Sequence, residues 1–310
     1  MTAPPLNAPF ALGKTSLKVS PLAWGMWRFR GDDVAAAQGR VEAALAAGMT
    51  LLDTADIYGP DNGEPFGAAE ALLGRVLKAA PHLRDRFVLA SKGGIVMGTP
   101  YDSSPAYLTS AIDASLTRLG VDHIDLWQIH RPDSLAHPAE VAETLSGLRR
   151  AGKIGEIGVS NHTAAQTAAL QAHLAFPIAC IQIEFSPLAI GPLSDGVLDQ
   201  ALATGMGVLA WSPLAQGRLG EGDPRHAAAT GADPRAQAVR DALDVVARAK
   251  GVSRPVAAYA WLLRHPARPI PIVGSQQPAR IAEAAQALAV SFTRPEWYAV
   301  LTAARGEPLP

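Results

Sequence analysis

The sequence predicts an α/β fold, a single (β/α)8 barrel with an N-terminal β-hairpin and an extra C-terminal helix. Short apolar runs alternate with amphipathic helical stretches roughly every 25 to 40 residues, the rhythm of strands and helices in a parallel barrel. No linker breaks the 310 residues into two domains. Several of the runs also close on one chemically active group: 51–53 on Asp53, 87–91 on Ser91 and then Lys92, 124–129 on His130. Polar residues recurring at strand ends are how a parallel barrel gathers chemistry on one face.

Taken in order, residues 1–10 hold three prolines and no hydrophobic period, which predicts a loose tail, with the barrel occupying 11–310. LGKTSLKVSPLAWG then alternates apolar and polar around a Gly-Lys-Thr-Ser turn, predicting a hairpin that feeds a first strand ending at Gly25. Helix one starts at Asp33, a good N-cap, carries Val34, Val41 and Leu45 on one face and stops at Gly48. Strand two is 50–53; helix two, 67–79, has Leu72, Leu73, Val76 and Leu77 as its stripe and ends before Pro81. Strand three, 87–91, runs into a loop marked by Gly93, Gly94 and Pro100. Helix three, 104–119, has Leu108, Ile112, Leu116 and Leu119 at helical spacing before Gly120. Strand four leads to His130, and helix four covers 138–151, with Pro138 in its first turn.

Strand five is 154–159, helix five 164–174, strand six 179–183 and helix six 194–204. Strand seven, 208–211, is followed by a Gly-, Pro- and charge-rich loop over 212–233. Helix seven at 234–250 and a further helix at 254–265 precede strand eight at 270–273, helix eight at 278–288 and the extra helix at 295–304. Glu70 and Arg75 read as a pair on the surface of helix two, and Arg131 and Asp133 as loop residues near substrate.

The composition, 48% hydrophobic and 18% charged, supports a large core, and a net charge of −1 offers no basic field to nucleic acid or anionic lipid. Cys180 has no second cysteine to pair with and reads as a small buried hydrophobe in strand six. The start MTAPPLNAPFALGK has no charged residue followed by an apolar stretch, and no segment has the roughly 18 apolar residues of a spanning helix. A cytoplasmic protein is expected, a monomer or weak homo-oligomer, without a nucleic-acid or membrane partner. Histidines 82, 123, 137, 162, 173, 226 and 265 show no metal-ligand spacing, so no metal site is expected.

The barrel topology would bring Asp53, Tyr58, Lys92 and His130 together from three successive strand ends. A phenol with a pKa of about 10 is a reluctant acid near neutrality, but an ammonium about 4 Å away acts on it at roughly 4 kcal/mol for an effective dielectric of 20. Asp53 would keep that ammonium charged and in place, and neutral His130 would orient a substrate oxygen by hydrogen bond. The group is suited to protonating a developing alkoxide, which is half of carbonyl reduction. The other half, hydride, needs a nicotinamide, since no side chain supplies one. The first strand is not followed by G-x-G-x-x-G, which excludes a Rossmann half. Ser160, Asn161 and Gln182 offer hydroxyl and amide groups to a carboxamide, Trp211 offers an aromatic face, and the turns 212–217 and 274–275 offer backbone N–H groups to phosphate.

GKTSLKVSPLAWG, LLDTADIYG, ASKGGI, DLWQIHRPD, GKIGEIGVSNH, IQIEFSPL, GVLAWSPLAQGRL and PIPIVGSQQPARIAEAAQAL together resemble the aldo-keto reductase superfamily, across nearly the whole chain and in the family's order. Among its branches the bacterial predicted oxidoreductases with a long loop after strand seven are the most similar. The resemblance implies a catalytic tetrad of Asp53, Tyr58, Lys92 and His130, with Tyr58 as general acid, and a small-molecule carbonyl substrate. It implies carboxamide contacts from Ser160, Asn161 and Gln182, with Trp211 as the stacking position. Ser212, Pro213, Leu214, Gln216, Gly217 and Arg218 fall where the family binds the dinucleotide, as do Gly274, Ser275, Gln276, Arg280 and Glu283. Gly25, Met26 and Trp27 correspond to the first loop, and Asp53 also reaches the cofactor. The chain departs from the family in having Gln276 and Gln277 where many members place a lysine, and Ala284 where an asparagine is often found. Arg280 remains for a 2′-phosphate, so NADPH is expected, with NADH as the second cofactor such a site could take. Two other readings stand beside the reductase: a Schiff-base lyase using Lys92, and a nucleotide-sensing barrel with little turnover.

Overall fold

The structure, a computed structural model, describes residues 8–221 and 233–309. Residues 1–7 of the predicted tail and 222–232 of the predicted long loop lie outside the described residues.

The chain opens with the predicted hairpin, β1 (Phe10–Ala11) and β2 (Lys18–Val19), antiparallel with Phe10 opposite Val19. Its turn is closed by Leu12 N–H to the Leu17 carbonyl at 2.8 Å and by the Thr15 hydroxyl to the Leu12 carbonyl at 2.7 Å. Leu12 is fully buried and packs with Leu51, Ala90, Leu126 and Leu209 from inside the barrel, so the hairpin plugs the barrel floor. The approach is close enough to require glycine at 13, where an added Cβ would meet the Ala179 carbonyl oxygen at 2.3 Å.

Eight parallel strands then close on themselves. In barrel order they are β3 (Ala23–Gly25), β4 (Leu51–Asp53), β5 (Val88–Gly93), β8 (Ile124–Ile129), β9 (Ile154–Ser160), β10 (Cys180–Glu184), β11 (Gly207–Trp211) and β12 (Ile270–Val273). Both faces of these strands are covered, which is why they read as predominantly apolar runs, with polar side chains such as Gln128 and Gln182 inside the barrel bonded to one another and to Asp53. The period of two is still legible: Ala23 and Leu51 pack inward, while their neighbours Trp24 and Leu52 join the outer core beneath the helices. β12 pairs with β3 to seal the barrel, Val273 opposite Trp24. The Trp24 indole N–H reaches the Ser275 carbonyl at 2.9 Å across this seam, and the Gln276 amide reaches the Gly25 carbonyl at 3.0 Å.

The outer helices are α1 (Val34–Ala46), α2 (Ala68–Ala79), α3 (Pro105–Leu119), α4 (Pro138–Arg150), α5 (Ala164–Gln171), α6 (Val197–Thr204), α7 (Pro234–Lys250), α8 (Arg254–Leu263), α9 (Pro278–Ala284) and α10 (Arg294–Arg305). Local sequence accounts for their starts. Asp33 caps α1 by accepting from Ala36 N–H at 2.9 Å, and Thr163 with Gln166 and Thr293 with Glu296 form capping boxes on α5 and α10. The extra C-terminal helix is held by a stacked pair, Trp261 and Trp297, with ring centroids 4.8 Å apart and each indole N–H donating to the other residue's carbonyl.

Some expectations shift. The loop after strand three contains a hairpin, β6 (Ile95–Val96) with β7 (Thr99–Tyr101), too short for any periodicity to reveal. Helix six begins only at Val197, because Gly196 takes φ 85°, and the segment before it forms a 3-10 turn at Gly191–Leu193. The predicted helix eight is α9 followed by a 3-10 turn, Ala285–Ala289.

α2 and α3 dock through Gly74, whose added Cβ would lie 2.2 Å from the Arg118 carbonyl oxygen. Helix propensity alone favours Gly→Ala by about 1 kcal/mol, but a clash with backbone forces the helices apart. Gly74→Ala is expected to lower stability by about 2 kcal/mol or more, measured as a fall in the urea midpoint. A raised midpoint would contradict the close contact.

Candidate active site

β4 ends by delivering Asp53, and β5 delivers Lys92, to the same buried spot. Asp53 Oδ2 accepts from Lys92 Nζ at 2.7 Å, and both side chains are essentially buried. The ammonium also donates to the Thr54 carbonyl at 2.8 Å. Asp53 Oδ1 accepts from the amides of Gln128 at 3.1 Å and Gln182 at 2.9 Å, so the carboxylate is satisfied from β8 and β10 as well. A buried ion pair persists when its remaining lone pairs and protons are bonded in this way. Burial works against the Lys92 charge, but the Asp53 carboxylate, and after it Tyr58, outweigh burial and hold the amine above its ordinary range. An amine kept charged is not a nucleophile, which argues against the Schiff-base reading.

Tyr58 stands over this pair, with Lys92 Nζ 4.9 Å from its ring centroid. His130, just beyond β8, meets the Tyr58 ring edge-on with centroids 5.9 Å apart. Its imidazole is pushed well below its usual value by burial, then by Lys92 and Arg131, so it is neutral near pH 7, and its buried Nδ1 has no hydrogen-bond partner. The tetrad residues are thus brought together. The phenol itself is raised above its ordinary value: burial exceeds the lowering by Lys92, and Asp53 and Asp56 add to the rise. Lys92 offsets part of the cost of a phenolate; it does not make Tyr58 acidic at rest.

The remaining positions surround the same barrel end. Asn161, in the left-handed region at φ 58°, accepts from the Trp211 indole at 3.0 Å and donates to the His130 carbonyl at 3.1 Å and the Ser160 hydroxyl at 2.9 Å. Gln182 spends its amide N–H groups on Asp53 and on Gln128 at 3.1 Å, leaving its carbonyl oxygen for another partner. Trp211 is partly exposed, with the Arg131 guanidinium 5.9 Å from its ring centroid. In the first loop Gly25 and Met26 are enclosed, Met26 within the core, and Trp27 is exposed with its indole on Asp61 at 3.3 Å. The loop after β11 is strained, with Ser212, Ala215 and Gln216 at φ 49°, 50° and 59°; it carries Pro213, Leu214 and Gly217. Non-glycine residues there cost about 1–2 kcal/mol each, and such strain concentrates where backbone is shaped for a ligand. Arg218 pairs with Asp233 at 3.5 Å. Across the mouth Gly274 is exposed, Ser275 and Gln276 are partly covered, the buried Gln276 Oε1 has no partner, and Arg280 is exposed with one long bond to the Glu221 carbonyl at 3.4 Å. Glu283, one turn further along α9, lies near Tyr259.

Residues 21–303 match the aldo/keto reductase family. The chain belongs to that family. A 6-dehydroglucose reductase of Novosphingobium aromaticivorans is 55% identical over 96% of this chain and 96% of its own. A protein of the same name from Agrobacterium fabrum is 36% identical over 94% of this chain and 96% of its own, and the Escherichia coli oxidoreductase YdhF is 37% identical over 94% and 95%. A thermostable aldo-keto reductase crystallised with the inhibitor epalrestat superposes with a TM-score of 0.79 over 95% of this chain and 99% of its own; at 23% identity it shows the fold. This aldo/keto reductase is therefore an NAD(P)H-dependent oxidoreductase acting on carbonyl groups. Among its described residues no helix is long and apolar enough to cross a membrane.

The reductase also holds site residues that the sequence did not reveal. Glu70 does not form the surface pair with Arg75. It is fully buried, accepts from the Ser91 hydroxyl at 2.5 Å and pairs with Arg118 at 2.7 Å, while Arg75 donates to the Gly31 carbonyl. Helical phase was the signal: Glu70 shares the stripe of Leu73 and Leu77, three and seven residues on. Asp133 is occupied by the backbone N–H groups of Ser103 and Leu135, both at 2.8 Å, so it shapes the loop. Asp56 is buried two residues before Tyr58, and burial, with Glu70 beside it, raises its carboxyl to about 7.

Proposed function

We propose that this reductase is a cytoplasmic NADPH-dependent enzyme, monomeric or weakly associated, that reduces an aldehyde or ketone to an alcohol with Tyr58 as general acid. The observation that carries this is the Lys92–Asp53 ion pair buried directly against the Tyr58 ring. When bound, the dinucleotide supplies the hydride. Neutral His130 orients the substrate oxygen by hydrogen bond, and Tyr58 releases its proton to that oxygen as charge develops there. Lys92 offsets the charge left on the phenol, and Asp53 keeps Lys92 charged.

The residues present fit such a cofactor. Ser160, Asn161 and the free Gln182 oxygen would meet a carboxamide, Trp211 an aromatic ring, the strained 212–217 loop and the 274–276 turn a pyrophosphate, and Arg280 with Glu283 the adenosine end. The unpartnered Gln276 Oε1 and the nearly free Arg280 support this assignment. The two relatives named 6-dehydroglucose reductase support a sugar carbonyl as substrate.

Consumption of NADPH with a panel of sugar and simple carbonyls tests the reading, and no consumption with any of them would favour a sensing barrel. For the cofactor, Arg280→Ala is expected to weaken NADPH binding by roughly tenfold to a hundredfold, the worth of charge-assisted hydrogen bonds to a phosphate, with NADH nearly unchanged. Tryptophan fluorescence titration reads both affinities, and equal losses would remove the 2′-phosphate assignment.

A further inference from the structure

Asp56 is buried among groups that cannot all be satisfied at once. Its N–H donates to the Lys92 carbonyl at 2.9 Å, and its side chain is fully enclosed. Oδ1 has no hydrogen-bond partner, while Oδ2 lies 3.2 Å from the Tyr107 hydroxyl. That hydroxyl is also 3.4 Å from the Ile95 carbonyl in β6. Glycine at 93 makes the room, since a Cβ there would come within 2.9 Å of Oδ2. A hydroxyl has a single proton, so Tyr107 can serve the carboxylate or the Ile95 carbonyl, but not both.

We infer that Asp56 and Tyr107 are a positioning pair for Tyr58 and for the β6–β7 hairpin, set by whether Asp56 carries its proton. Protonated, Asp56 donates to the Tyr107 oxygen and frees the Tyr107 proton for Ile95, tying the hairpin down beside Lys92. Ionised, it accepts the Tyr107 hydrogen bond, releases Ile95 and adds, from two residues along the same loop, a negative charge that opposes ionisation of the Tyr58 phenol. The charged and titratable groups facing Asp56 are Glu70 on α2, Arg118 and Tyr107 on α3, and Tyr58 on its own loop, with Asp102 acting on Tyr107 from beyond β7. Burial and then Glu70 favour the protonated form; Arg118, Tyr107 and the backbone N–H of Ile57 favour the ionised one, and the balance falls at about 7. The inference rests on Tyr58 as the acid.

Infrared difference spectra of the free protein, with the pH dependence of NADPH-driven turnover, test it. The wild type is expected to show a protonated carboxylic acid band that disappears with a midpoint near pH 7 and is missing in Asp56→Asn. Turnover in wild type is expected to fall as pH rises through that midpoint, and in Asp56→Asn the fall should move upward by about one pH unit or more, since the neutral amide never opposes the phenol. A purely structural role would lower turnover at every pH and leave the midpoint in place. Tyr107→Phe, which removes only the donor, is expected to raise the midpoint of the band. No titrating band, an unmoved profile in Asp56→Asn, or an unmoved band in Tyr107→Phe would each overturn the pair. An unmoved profile with an inactive Tyr58→Phe enzyme would leave the acid assignment standing, whereas full turnover in Tyr58→Phe would overturn both.

Discussion

Tyr58→Phe is expected to lower turnover by about a thousandfold, within the 10²–10⁴ range of positioned general acids. The ring remains to pack against His130 and the Lys92 ammonium, so the change removes one oxygen and its proton and little else. Cofactor affinity should hold within about twofold, because Asn161, Trp211 and Arg280 are untouched. The measurement is steady-state turnover beside a tryptophan fluorescence titration of NADPH. If turnover survived within about tenfold, His130 or a water would have to supply the proton, and the neutral, buried imidazole is poorly placed to do so.

Lys92→Met should have two separable consequences. Asp53 would be left as a buried carboxylate with two amide donors and no counter-charge, and breaking such a pair costs about 3–5 kcal/mol. Turnover should also vanish into background, because nothing would remain to offset a phenolate at Tyr58. The double variant Asp53→Asn with Lys92→Met removes the stranded charge while keeping an acceptor for Gln128 and Gln182. It is expected to recover at least half of the lost stability in a urea titration and none of the turnover. Recovery of both would show that the ion pair serves only the fold.

Much of this barrel could be read from the chain because both faces of each strand are covered. Runs such as 51–52 and 87–90 are apolar for packing reasons, and a polar group at their end stands out against that background. Asp53, Lys92 and His130 were visible on those grounds, and Tyr58 by its distance from Asp53. What escaped reading depended on contacts between distant segments. Glu70 meets Arg118 from another helix, and no local pattern names that partner. The β6–β7 hairpin consists of strands of two and three residues, below the length at which alternation carries information. The raised phenol of Tyr58 follows from how much protein surrounds it, which spacing along the chain does not encode. For the same reason nothing along the chain sets Asp56 apart.

The joint between β12 and β3 ties the two ends of the barrel's strand order together through Trp24, Gly25, Ser275 and Gln276. Those last two residues also belong to the turn assigned to the dinucleotide, so one set of bonds closes the cylinder and shapes its docking ledge. A nascent chain halted before residue 270 would have neither, and would present two open sheet margins to its neighbours. Ligand capacity in this enzyme should therefore arise only at the final stage of assembly, when the last strand arrives.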